Sequence, residues 1–181
     1  LCLILAGSIG STNQFLIIFF GTYNFEILQT LDRSTMQFYI LLAIIAYMIG
    51  SLIGGYMADK FGRYRVSILS TIVIIICSIL LCVSISNMIM NPWIFTALSF
   101  SMPFLTMPSA AIFKEAIPVV IRYRLFALSH AIGSVFISAP TAFLSTWIYH
   151  KTSITWLPIC YFIITILMIA FSLYYLNRRG N

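Results

Sequence analysis

Two short groups of ionisable residues hold most of the chemistry this sequence could offer. Asp59, Lys60, Arg63 and Arg65 crowd into residues 59–65, and Lys114, Glu115, Arg122 and Arg124 into residues 114–124. An acid four positions before a base can form an ion pair along a helix. Asp59 can therefore pair with Arg63 or Arg65, or cap the N-terminus of the helix that follows. Such clusters hold helix ends together and do not break bonds. The chain has no G-x-S-x-G, no phosphate-binding G-x-x-x-x-G-K-[ST] and no H-E-x-x-H, the spacings that nucleophilic, phosphoryl and zinc chemistry require. Cys2, Cys77, Cys82 and Cys160 are scattered without ligand spacing, so disulfides, structural metal and bound cofactors are not expected. The residues point away from an enzyme.

The remaining polar candidates lie inside apolar runs. Ser11, Thr12, Asn13 and Gln14 are consecutive. Amides in lipid cost free energy unless they face protein or water, so Asn13 and Gln14 can either bond a neighbouring helix or receive the carboxylate or carbonyl of a small solute. His130 is the histidine within an expected span, and an imidazole is a group that can exchange a proton. A histidine simply packed near a helix end is the competing reading.

The elements that must carry these residues follow from composition. Of 181 residues only 8% are charged, against roughly 25% in an average soluble domain, and 61% are hydrophobic. Mean hydropathy is +1.04. A soluble globule lacks the charge for its surface, and a disordered chain would not be this apolar. Charge-free stretches cover 1–25, 34–58, 66–113, 125–150 and 152–177. One span needs about 20 residues, so the long stretch holds two, divided at Asn87 to Pro92. Six spans are expected near 3–24, 35–58, 66–86, 93–113, 125–148 and 154–176, as one six-helix transmembrane domain over 1–181. The runs do not alternate, which excludes a β-barrel.

Charge position also orients the chain. Lys60, Arg63, Arg65, Lys114, Arg122, Arg124, Arg178 and Arg179 fall on one side, and Arg33 and Lys151 on the other. The positive-inside rule places the first group, and both termini, in the cytoplasm. The net charge of +6 is then a topological signal, and nucleic-acid binding is not expected. Tyr23, Tyr39, Trp147 and Trp156 stand near span ends, where aromatic rings anchor at the interface. Gly50, Gly54 and Gly55 give the second span the small-residue spacing of a close helix crossing. Pro103, Pro108 and Pro140 interrupt the fourth and fifth spans, and their freed carbonyls must sit against protein or a wet cavity.

The segment Gly55-Tyr-Met-Ala-Asp59-Lys60-Phe-Gly62-Arg63-Tyr-Arg65 matches G-x-x-x-D-[RK]-x-G-[RK]-x-[RK] at every fixed position. It resembles the loop signature of the major facilitator superfamily, which follows the second helix of each six-helix half. Glu115, Pro118, Arg122 and Tyr123 resemble the E-x-F-P-x-x-x-R-[YF] segment after helix ten of its metabolite:proton symporter branch, with Ile117 in place of Phe. Ala127 to Gly133, with Ala139-Pro140, resembles the next helix of that branch. The P-E-T-K-G-like ending of sugar porters is absent. The resemblance implies an all-α transmembrane fold, one half of a twelve-helix facilitator, and the C-terminal half of a proline/betaine-type transporter in a bacterial inner membrane.

By that resemblance Gly55, Asp59, Lys60, Gly62, Arg63 and Arg65 would form a gating loop, with Gly55 in close contact with a neighbouring helix. The partners would be lipid, a small polar solute, protons and an N-terminal six-helix half. The chain opens at Leu1 with no basic run before its first span, so no signal peptide is expected. A non-transporting fragment of a decayed or split gene, and a sugar or organic-ion porter, remain alternatives.

Overall fold

The structure is a computed structural model that describes residues 2–16, 32–87, 91–115 and 117–180. The second part of the first expected span, with Tyr23, lies outside the described residues. The described chain is all helix, with no strand among the described residues. The helices are α1 (Cys2–Gln14), α2 (Arg33–Phe61), α3 (Arg63–Ser86), α4 (Pro92–Ser101), α5 (Pro103–Glu115), α6 (Arg122–Gly133), α7 (Pro140–Thr152) and α8 (Leu157–Gly180). A π-helical turn, Ser134–Ser138, joins α6 to α7. Among the described residues, five stretches are long and apolar enough to cross a membrane: Ser34–Phe61, Arg63–Ser86, Pro92–Glu115, Arg122–Thr152 and Leu157–Leu176.

The five stretches follow the order of the second to sixth expected spans, and α1 holds the described part of the first. Several helices run further than the apolar runs, because a helix leaving hydrocarbon stops only where its backbone is interrupted. α2 ends at Gly62, whose φ of 92° no side chain with a Cβ adopts readily. Asn91 caps α4 by accepting the Trp93 N–H at 3.1 Å, with Pro92 at the first helical position where its missing N–H costs nothing.

The prolines act where the sequence places them. The fourth span breaks at Met102, between Ser101 and Pro103, and Pro108 lies inside α5. Both rings are buried, so the disrupted backbone faces protein rather than lipid. In the fifth span the ring of Pro140 would strike the carbonyl four residues earlier. The turn before it widens instead, with the Ala139 N–H reaching Ser134 O at 2.7 Å, and the Thr141 hydroxyl donates to Ile137 O at 3.0 Å. A π-bulge of this kind is a usual way to seat a helix irregularity.

The packing follows from the apolar faces. α2 lies along α4 and α5, and α3 packs on α2, α4, α5 and α8. α1 packs against α8 on one side and against α6 and the π turn on the other. The shared core includes Leu5, Phe15, Ile74, Leu81, Leu98, Leu105, Phe162 and Ile169, with the Phe15 and Phe162 rings stacked at 4.6 Å. The outward surface is equally apolar: Leu52, Leu69, Phe136 and Phe171 are all exposed. In water that surface would drive association; in a bilayer it is the ordinary lipid face. Many hydroxyls inside the bundle bond their own helix, such as Ser67 to Arg63 O and Ser78 to Ile74 O. That leaves few of them to work between helices.

The paired glycines resolve unequally. A Cβ on Gly50 would stand 2.5 Å from the Phe100 carbonyl oxygen, and one on Gly54 3.3 Å from the Phe104 Cα. These two let α2 approach the fourth span, as the spacing predicts. Gly55 differs from expectation, since a Cβ there would meet nothing within 4 Å. It points away from the α4–α5 contact, one residue or about 100° around the helix from Gly54.

Candidate functional site

Two groups of polar residues stand apart from the hydroxyls that bond their own helix. The first lies where α2 turns into α3 and α5 runs toward α6. Asp59 sits on the last turn of α2 and Arg63 starts α3, with Gly62 between them. Arg63 donates to Asp59 Oδ1 at 3.4 Å through one guanidinium nitrogen and to Glu115 Oε1 through the other. One cation thus ties together two segments that are 52 positions apart. Asp59 pairs with Arg63 and not with Arg65. It does not cap α3, whose N-cap, Gly62, has no side-chain cap bond.

The second segment is built around its turn. Ile117 is buried at 2% exposure, taking the apolar position where the resembled motif has Phe. The Pro118 carbonyl accepts the Ile121 N–H at 3.2 Å. Arg122 Nε donates to Ile117 O at 3.2 Å, so this arginine braces the turn. The Lys114 ammonium lies 5.1 Å from the Phe126 ring centre. Tyr123 projects outward and is exposed.

The Arg63 cluster is open to solvent. The carboxylate side chains of Asp59 and Glu115 are 71% and 63% exposed. Exposed ion pairs are worth about 0.2–1 kcal/mol. A contact this weak adds little to the stability of the bundle.

The second group lies within the bundle. The Tyr47 hydroxyl of α2 donates to Asn13 Oδ1 of α1 at 3.3 Å and lies 3.4 Å from the Thr106 hydroxyl of α5. Asn13 and Tyr47 line a cleft of about 50 Å³ with Ser99, Ile40, Ala43 and Phe95. Its accessible wall is apolar. Nearby, Ser11 and Thr141 hydroxyls are 2.6 Å apart and buried. Since Thr141 spends its proton on Ile137 O, Ser11 is the donor.

The sequence singled out Asn13 but not Tyr47, Ser99 or Thr106. A tyrosine in mid-span was the available signal, because a buried phenol hydroxyl needs a partner. Gln14 is half-buried beside Asn13 but is not among the cleft residues. His130 is exposed on α6, its ring 6.2 Å from that of Phe126. It is neither packed inside the bundle nor part of the cleft. Trp147, half-exposed with Lys151 5.7 Å from its ring centre, sits at the far end of α7, as an interfacial anchor would.

The order of apolar helices, with a charged turn between α2 and α3, is matched by a comparison across the chain. The sequence model of the Major Facilitator Superfamily matches residues 2–181. The chain belongs to the major facilitator superfamily. It is therefore an integral membrane protein of a transporter family, and its all-α bundle is consistent with one facilitator half. No curated protein matches it. Within the facilitator pattern the Arg63 cluster falls on the loop signature, and the Asn13–Tyr47 cleft lies between its first, second and fourth spans.

Proposed function

We propose that this chain works as one six-helix half of a proton-coupled symporter for a small osmolyte or organic acid, such as proline, betaine or a dicarboxylate. The observation that carries the transport reading is the double engagement of Arg63 by Asp59 and Glu115. In alternating access two halves rock about a midplane site, and contacts at one membrane face form and break. Arg63 holds both turns of this half in one arrangement. We read these weak contacts as a latch between the two turns, and the open face at Gly55 is left to meet the other half. The basic turns face the cytoplasm by the positive-inside rule, in a bacterial inner membrane.

The solute reading rests on the Asn13–Tyr47–Thr106 group. Its donors are neutral, and among the described residues no hydrogen bond engages the Asn13 amide nitrogen. Such donors suit a carboxylate or carbonyl better than a cation. The described spans carry no acid at mid-depth, so the proton carrier belongs to the N-terminal half that completes the transporter.

Uptake of labelled proline, betaine and dicarboxylates, in cells expressing this chain with and without an N-terminal six-helix half, tests the reading. Accumulation should need both halves and collapse with a protonophore. Full accumulation without a proton gradient would overturn symport. No uptake of any solute by the paired halves would favour a non-transporting fragment.

A further inference from the structure

A second apolar opening in the described bundle is larger than the Asn13 cleft. It is a crevice of about 410 Å³ between α2, α3 and the α4–α5 span, lined by Met57, Val66, Leu69, Val73, Phe100 and Phe104. Its two serines present no free donor, because Ser70 bonds Ser67 O at 2.9 Å and Ser101 bonds Leu98 O at 2.8 Å. The walls are therefore carbon. Along α3 the lining runs from Val66 to Cys77, about 16 Å at 1.5 Å per residue. That is close to one leaflet of a ~30 Å hydrocarbon core.

The crevice has a charged end. Lys60 follows Met57 by three residues on α2, and Arg65 precedes Leu69 by four on α3, so each stands one turn beyond a lining residue on the same side. Both side chains are exposed. Neither has an acidic partner among the described residues, since Asp59 and Glu115 are both taken by Arg63. The Lys60 ammonium rests 5.8 Å from the Tyr56 ring centre and 5.7 Å from that of Phe61, where a snorkelling lysine meets the headgroup level.

We propose that this crevice is a binding site for one anionic phospholipid. An acyl chain lies against Met57, Leu69 and Phe104, and the phosphate lies between Lys60 and Arg65. Charge selects the head and length selects the tail. A zwitterionic lipid would bring its own cation to the same pair and gain less. The site would couple the leaflet to the turn that holds Arg63, and it does not depend on which solute is carried.

The test is lipid retention. The full chain is reconstituted in nanodiscs of phosphatidylcholine with added phosphatidylglycerol, released into mild detergent, and its bound lipids weighed by native mass spectrometry. Phosphatidylglycerol should be retained over phosphatidylcholine. Lys60→Gln and Arg65→Gln should each lower that preference about fivefold, the value of one basic residue near an anionic surface. Ala97→Trp, at the crevice wall, should cut retention of both lipids. Arg124→Gln, exposed but away from the crevice, should change neither. Equal retention of the two lipids would overturn the proposal. So would an equal loss on Arg124→Gln, which would mean a general attraction, or retention unmoved by Ala97→Trp, which would leave the crevice to a helix of another protein.

Discussion

Gly50→Ala and Gly55→Ala should change stability in opposite directions, although the two glycines lie on one helix five positions apart. At Gly50 the new Cβ would stand 2.5 Å from the Phe100 carbonyl oxygen. Ordinary contact is about 3.4 Å or more, so α2 and the α4–α5 span must part by nearly ~1 Å. A gap of that size forfeits about a quarter to a half of each dispersion contact along the seam, and overpacking of this kind costs about 1–3 kcal/mol. The gain in helix propensity from Gly to Ala returns at most about 1 kcal/mol. The net effect is a loss of about 1–2 kcal/mol. At Gly55 nothing lies within 4 Å, so only the propensity gain remains. Thermal unfolding of the detergent-solubilised chain, followed by tryptophan fluorescence, measures both. At about 2–4 °C per kcal/mol for a chain of this size, Gly50→Ala should melt several degrees lower and Gly55→Ala slightly higher. Equal shifts in one direction would refute the assignment of the close crossing to Gly50 and Gly54 alone.

Three further outcomes are expected. Glu115→Gln should change stability by less than about 1 kcal/mol while lowering uptake by the paired halves, and combining Arg63→Glu with Glu115→Arg should recover part of it; a recovery no better than either single change would argue against a latch. Ser11→Ala removes a buried interhelical hydrogen bond and should cost about 0.6 kcal/mol, at most ~1.7, read as a lower melting temperature. Tyr47→Phe should leave the fold intact and weaken solute uptake about fivefold to tenfold, the loss of one hydrogen bond; wild-type uptake would remove Tyr47 from the path.

Much of the fold was legible because a bilayer leaves a chain few choices. Unpaired backbone groups cannot remain in hydrocarbon, so an apolar run of sufficient length becomes a helix whatever its neighbours do. The break near Pro103, the disturbance before Pro140 and the turn at Gly62 were all visible in residue types. The site was less legible. Asp59 and Arg63 lie four positions apart, and spacing made Arg63 one of two candidate partners, with the choice over Arg65 left to the structure. Glu115 could be recognised as a motif residue, but not as the second partner of Arg63. His130 shows the opposite failure: residue type made it a candidate, and its place on an exposed face of α6 separates it from the cleft.

Residue types and their order alone determined an all-α membrane chain, because transfer to lipid is a local property of each segment. Which segments touch is a sum over many weak contacts between distant residues, and no spacing rule contains it. Only the tertiary structure decided that Gly50 and Gly54 face the α4–α5 span while Gly55 faces outward. Only it joined Tyr47 to Asn13 and Thr106, and gave Arg63 both its carboxylates.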